Sequence, residues 1–252
     1  MFTRRLCWIA IPVLLIAAAL GGARVYRASV LSAPINDGVS SEIRIGNALE
    51  LTRRVAARFK YIEEHGALGT PAPWPLRTEA DHLLTGGDCG AAAAALGTVF
   101  VSRGRPFRIL QANVGAGGAG HIMFETPDDS GRWVLLDPIE GHGFPRPSDG
   151  RLLGIEEIRA LPESERTWLP EPYRDGEYSL YAPYRRTNWA RLGVMANLVR
   201  TVEGDAWMNE TSVRVAVLEA DRNLTAVALF ALAMIAVIAV APRLRRGALP
   251  RS

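Results

Sequence analysis

The sequence predicts an α+β domain flanked by two membrane-spanning helices. Residues 7–23 and 224–241 are apolar and carry no charged side chain. Between them, an alanine-rich stretch typical of a helix begins at Cys89, and two short strand-like runs follow, His121–Glu125 and Arg132–Asp137. A helix followed by neighbouring antiparallel strands is typical of an α+β fold.

The first apolar segment has the length of a membrane anchor. At about 1.5 Å per residue it extends about 26 Å, close to the ~30 Å hydrocarbon core of a bilayer. Small residues at Ala19–Ala23 also fit the cleavage site of a signal peptide. Residues 1–28 are therefore predicted to be an N-terminal transmembrane anchor, with a cleaved signal peptide as the alternative.

The second apolar segment predicts a C-terminal transmembrane helix over residues 223–242, followed by a basic tail at 243–252. Arginines flank the outer ends of both segments: Arg4, Arg5, Arg243, Arg245, Arg246 and Arg251. The positive-inside rule then places both termini in the cytoplasm. Lys60 is the only lysine, and this arginine bias with abundant Ala and Gly suggests a GC-rich bacterial genome. We expect a bacterial inner-membrane protein whose central domain is periplasmic.

The elements before Cys89 are marked by breakers and by helical spacing. Residues 29–38 contain Pro, Asn, Asp and Gly and predict a linker. A helix capped by Ser40 or Ser41 is predicted to run to His65, where Gly66 ends it. Residues 69–76 hold three prolines and predict an irregular connection.

The central part, residues 40–140, is predicted to form the core. The helix from Cys89 should stop near Gly104, and residues 106–112 predict a strand. Residues 115–120 are rich in glycine and predict a mobile loop beside the strands that begin at His121 and Arg132.

Residues 141–222 predict an irregular extension with juxtamembrane helices. A short helix is expected over residues 155–161, an amphipathic helix over 187–203, and a further helix from about residue 210 into the second membrane segment. Five aromatic residues are predicted to pack against the core, with a substrate groove as the alternative: Trp168, Tyr173, Tyr178, Tyr181 and Tyr184.

Three residues suit the chemistry of a cysteine nucleophile. Cys89 lies at a helix start, where unpaired N–H groups and the helix dipole stabilise a thiolate. His121 opens one strand and Asp137 closes the next. A thiolate, a base and an orienting carboxylate form the cysteine version of the nucleophile triad.

Cysteine usage supports a reactive thiol at position 89. The only other cysteine, Cys7, lies at the cytoplasmic edge of the first apolar segment, so a bilayer would separate the two. An unpaired thiol in an oxidising compartment is a liability unless it has a role. The alternative is a small buried residue without chemistry.

The order of these motifs resembles the transglutaminase-like core, which belongs to the papain-like group of cysteine enzymes. The resemblance covers residues 78–140: a Cys before a helix, a strand that begins with His 32 residues later, and residues 133–138, Trp-Val-Leu-Leu-Asp-Pro. It implies hydrolysis or transfer of an amide or peptide acyl group through a Cys89 thioester.

The resemblance also implies donors for the oxyanion. The backbone N–H of Cys89 or Gly90 is one, and Trp74 is a second by analogy with transglutaminase-like proteins that use an upstream aromatic donor. The papain-type glutamine is missing, because Leu83 and Leu84 occupy that region.

Other residues compete for two of the roles. His82 and His142 are alternative bases, and Glu125 and Glu140 are alternative carboxylates. His121 is preferred because it starts a strand and has a carboxylate at the end of the next one.

Composition excludes several other classes of function. No CxxC or HxxxH pairing favours a metal, no calcium-binding loop is present, and we expect no cofactor. The net charge of +3 comes mostly from the membrane flanks, so nucleic acid is excluded as a partner. Expected partners are the lipid bilayer, a peptide or protein amide substrate, and membrane partner proteins. The competing hypothesis is a catalytically inactive binding module in a cell-envelope complex.

Overall fold

The computed structural model describes residues 2–42, 44–112, 120–187, 189 and 193–247, with the side chains of residues 2–9, 195 and 237–247 outside the described set. Helices surround one small antiparallel sheet. The predicted α+β class is therefore confirmed. Most of the predicted loop at residues 115–120 lies outside the described residues.

Four helices precede the sheet: α1 (Phe2–Asn36), α2 (Ile45–His65), α3 (His82–Thr85) and α4 (Cys89–Ser102). The predicted starts and ends of α4 and the predicted end of α2 are confirmed. Nine of the fourteen residues of α4 are buried, because its alanines let the helix approach α2 and the sheet closely.

The sheet has the strand order β1-β2-β3-β4, and all pairs are antiparallel. Its strands are β1 (Arg108–Ala112), β2 (His121–Pro127), β3 (Trp133–Asp137) and β4 (His142–Gly143). The first three strands were predicted correctly, over residues 106–112 and from residues 121 and 132. Strand β4 was not predicted. Three stacked or edge-to-face rings join the sheet to α4: Phe100, Phe107 and Phe124.

The chain after the sheet forms α5 (Ile155–Arg159), α6 (Glu171–Arg174), α7 (Val194–Glu210) and α8 (Val213–Gly247). The short helix expected over residues 155–161 is confirmed. The amphipathic helix expected over 187–203 begins later, and a left-handed Gly204 (φ 84°) breaks it. The five aromatic residues of this region belong to a second core cluster, as predicted.

The predicted linker at residues 29–38 is wrong, because α1 continues to Asn36 through Pro34. A proline inside a helix removes one backbone hydrogen bond. Contacts with the domain outweigh that loss: Ser32 and Ile35 are buried, and Arg27 pairs with the buried Asp81.

The two terminal helices pack against each other. Gly21 of α1 meets α8 so closely that an added Cβ would lie 2.1 Å from Thr225 Oγ1. One turn further along α1, Arg24 Nε lies 2.8 Å from Asp221 Oδ1. Among the described residues, one helix, Ala10–Asn36, is long and apolar enough to cross a membrane. The side chains of residues 237–241, within the second predicted span, lie outside the described set.

Candidate active site

The local fold holds Cys89 at the first position of α4. The Asp88 side chain accepts the N–H of Ala91 at 2.9 Å and caps the helix. Gly87 precedes the cap with φ 137°, and a Cβ there would lie 2.7 Å from that of Ala91. The glycine therefore permits a turn that a side chain would block. Cys89 is half-buried and its Sγ accepts the N–H of Ile122 at 3.4 Å.

His121 lies at the start of β2, beside the thiol. Its side chain is almost fully buried, and its Nε2 lies 2.5 Å from Asp137 Oδ2. The Cys89 thiol lies beside the imidazole, and the two groups shift each other's pKa values. The structure thus brings the three predicted residues together, with the ring between the thiol and the carboxylate.

Asp137 ends β3 in a fully buried position. Its Oδ1 accepts the backbone N–H groups of Ile139 (3.1 Å) and Glu140 (3.2 Å). Its Oδ2 accepts the Tyr173 hydroxyl at 2.8 Å in addition to the His121 ring. These four donors hold the carboxylate ionised and fixed in orientation.

The pKa shifts of the three groups favour their charged forms. Burial raises the pKa of the Cys89 thiol, but hydrogen bonds from His121 and the Ile122 N–H lower it below its usual range. Burial lowers the pKa of His121, yet hydrogen bonds to Asp137 and Cys89 raise it to about 9. Burial likewise opposes ionisation of Asp137, and the His121 hydrogen bond nevertheless lowers its pKa. The shifts of Cys89 and His121 both favour the thiolate–imidazolium pair over the neutral pair.

Two tyrosines enclose the imidazole. The ring of Tyr178 stacks on His121 with centroids 4.0 Å apart, and Tyr173 contacts it edge-on. The sequence predicted both as packing residues without connecting them to the triad. Their only sequence signal was the aromatic enrichment of an irregular segment, which does not show where each ring lies.

The rival residues lie in other surroundings. His82 Nε2 pairs with Glu79 at 3.4 Å, and Glu125 pairs with Arg186 at 2.9 Å. His142 Nε2 lies 3.4 Å from the Tyr173 hydroxyl, on the far side of the aspartate. Asp137 is the carboxylate that contacts the His121 ring.

The two predicted oxyanion donors differ in position. Gly90 lines the cavity beside Cys89, and the Asp88 cap leaves its first-turn N–H available. The Trp74 side chain is 87% exposed and lies outside the cavity lining. The structure therefore does not bring Trp74 to this site.

A cavity of about 680 Å³ adjoins the thiol. The start of α4 forms one wall, the end of β1 a second and the start of α8 a third. Charged side chains on the walls comprise Glu79, His82, Asp88, Arg185, Arg186 and Arg214. Because Cys89 is half-buried, a ligand in this cavity can reach its sulfur.

Within the described part of the chain, no group of three His, Cys, Asp or Glu side chains could hold a metal ion. No protein-family model, curated protein or solved structure matches the chain. The geometry of the site alone therefore supports an assignment of chemistry, and the resemblance to the transglutaminase-like core stays an expectation.

Proposed function

We propose that this protein is a membrane-anchored, transglutaminase-like cysteine enzyme that hydrolyses or transfers the acyl group of an amide or peptide. The observation that supports the proposal is the hydrogen bond between His121 and Asp137, with the Cys89 thiol beside the imidazole at an open cavity. A buried imidazole between a thiol and a buried carboxylate is the arrangement that activates a sulfur nucleophile.

In the first half of the reaction, the Cys89 thiolate attacks the carbonyl carbon of the amide. The carbonyl π electrons move to oxygen, and the Gly90 N–H is placed to stabilise that oxyanion. When the oxyanion collapses, the C–N bond breaks and the amine leaves with the proton of the His121 imidazolium. The products are a free amine and a thioester on Cys89.

In the second half, neutral His121 accepts a proton from water or from an acceptor amine as it attacks the thioester carbonyl. The C–S bond breaks and its electron pair returns to sulfur as the thiolate. Water gives a carboxylic acid, and an amine gives a new amide. Asp137 holds the ring in position through both halves and stabilises its charged form.

Two membrane spans with a periplasmic domain complete the proposal. The close approach of Gly21 to Thr225 and the Arg24–Asp221 ion pair fix an antiparallel register between α1 and α8. In that register, the two apolar segments lie side by side and end at one charged layer. Exposed apolar side chains on both helices suit contact with lipid: Val13, Leu15, Ile16, Leu224, Val227 and Phe230.

The topology is tested with single cysteines in a background that carries Cys7→Ser and Cys89→Ser. We expect a membrane-impermeant maleimide to label Ser148→Cys in intact spheroplasts and Ser252→Cys only after permeabilisation, because the two spans place these positions on opposite sides. Equal labelling of both positions in intact spheroplasts would show that the C-terminus is outside.

The chemistry is tested by the pH dependence of Cys89 alkylation with iodoacetamide, using the full-length Cys7→Ser protein in detergent. Because the pKa of the thiol is lowered, we expect the half-maximal rate below the ordinary thiol value of about 8.5. N-acetylcysteine serves as the reference. A thiol that reacts only above that value would instead indicate the inactive binding module.

A further inference from the structure

Not every charged group around the cavity beside Cys89 has a direct ion-pair partner. Glu79 and His82 pair with each other, and Asp88 caps α4 through the Ala91 N–H while keeping its negative charge. Arg186 is neutralised by the bidentate, buried Glu125. In the described part of the chain, the guanidinium groups of Arg185 and Arg214 form no direct ion pair, although Arg214 attracts Glu79 over a longer distance.

Arg214 lies closest to the chemistry. Its Nη2 and Nη1 are 3.5 Å and 3.6 Å from the point where a side chain on Gly90 would begin. Both terminal nitrogens therefore face the residue that follows the nucleophile. Asp88 Oδ1 lies 3.1 Å from the same point, so the guanidinium and the capping carboxylate both border the space beside Gly90.

The position of Arg214 is unfavourable for stability alone. It is the second residue of α8, and a cation in the first turn opposes the helix dipole. Among the described residues, no carboxylate lies within ion-pair distance of it. Glu79 attracts it only over a longer distance, so the guanidinium can still form a direct ion pair with a ligand in the cavity.

Arg185 lies on the opposite wall, where its Nε and Nη2 are both 3.3 Å from Gln111 Oε1. An amide orients a guanidinium without neutralising its charge. The backbones of Arg185 and Gln111 also pair, which fixes the arginine to the edge of β1.

We propose that Arg214, with Arg185 opposite, binds a carboxylate of the acyl donor, so that the substrates are acidic peptides or amides. The planar fork of arginine matches a carboxylate in a bidentate manner. This inference rests on the proposed function, because it places the carboxylate beside the carbonyl that Cys89 attacks. The carboxylate belongs to an Asp or Glu side chain or to a free C-terminus.

The test compares two alkylating reagents that differ by one charge, iodoacetate and iodoacetamide. Both react with the same thiolate, so the ratio of their rates cancels the thiolate fraction. In the full-length Cys7→Ser protein at low salt, we expect this ratio to exceed that of the uncharged reference N-acetylcysteine amide at least about fivefold. High salt should reduce the excess, because ions screen an exposed charge pair.

The variant Arg214→Gln should lower the ratio about fivefold and leave the iodoacetamide rate within about twofold. The matched control is Arg222→Gln, which removes the same charge two helical turns further along α8. It should leave the ratio unchanged. A ratio equal to that of N-acetylcysteine amide, or unchanged in Arg214→Gln, overturns the carboxylate site.

The two proposals fail separately in this experiment. If iodoacetamide reacts fast but the iodoacetate-to-iodoacetamide rate ratio equals that of the reference thiol, the carboxylate site is rejected and the activated nucleophile is retained. A slow iodoacetamide reaction with an ordinary pH profile removes the proposed enzyme.

Protection of Cys89 from iodoacetamide by peptides distinguishes the two carboxylate sources. Stronger protection by Ac-Ala-Glu-Ala-NH2 assigns a side-chain carboxylate, and stronger protection by Ac-Ala-Ala-Ala-OH assigns a free C-terminus. Protection by neither, relative to Ac-Ala-Ala-Ala-NH2, contradicts the assignment.

Discussion

Replacing His121 by alanine is expected to lower the rate of Cys89 alkylation by iodoacetamide at pH 7 at least about tenfold. Burial raises the pKa of this thiol, and the His121 hydrogen bond is the first of the interactions that overcome that effect. Without the ring, the pKa should rise to or above the ordinary value of about 8.5, where only a few per cent of thiols are ionised at pH 7. Stopped-flow alkylation of the full-length Cys7→Ser protein measures the change.

The pH dependence of the alkylation rate shows whether the loss comes from the raised pKa of the thiol. The loss should be largest near neutral pH and disappear well above pH 9, where the thiol ionises without help. The control is His65→Ala, which removes an exposed imidazole that stacks on Tyr61. It should leave the rate unchanged. A His121→Ala variant that reacts as fast as the parent protein at pH 7 would exclude the thiolate–imidazolium pair.

Replacing Glu125 by glutamine is expected to destabilise the domain by about 3 kcal/mol. Glu125 and Arg186 are both almost completely buried, and Arg108 Nε lies 3.2 Å from the same carboxylate without hydrogen-bond alignment. Removing one partner of a buried ion pair leaves an uncompensated charge and typically costs about 3–5 kcal/mol. In a domain of this size, the melting temperature should fall by roughly 6–12 °C.

Glu210→Gln is the matched control for this prediction. Glu210 contacts the same two arginines, but its side chain is 63% exposed. Exposed ion pairs contribute about 0–1 kcal/mol, so the melting temperature should change by no more than roughly 3 °C. Thermal unfolding in detergent, followed by circular dichroism, measures both variants. Equal decreases in the melting temperatures of the two variants would show that burial of Glu125 does not determine its contribution to stability.

The sequence predicted the positions of Cys89, His121 and Asp137 because each stands at an end of a regular element. A glycine turn before an alanine run determines where α4 begins, and short continuous apolar runs mark where β2 and β3 lie. Two adjacent antiparallel strands and a helix packed on them then bring those ends together.

The residues that enclose the imidazole could not be predicted in the same way. Tyr173 and Tyr178 lie in a segment without periodicity, and their contacts with residues 36 or more positions away depend on tertiary packing. Arg214 was also missed, because its helix was interpreted only as an approach to the membrane. Pro34 was taken for a helix breaker, although burial of its neighbours keeps α1 continuous.

Helix α8 connects the two halves of the proposed architecture, since one continuous helix lines the cavity near its start and carries the second apolar segment. From Arg214 to residue 241 the helix axis measures about 40 Å. A change of about 2° in the tilt of such a rod would displace the guanidinium by roughly 1.4 Å. In the proposed topology, a mismatch between the apolar length of α8 and the bilayer thickness would act on this tilt together with the packing against α1, and so on the position of the guanidinium in the cavity.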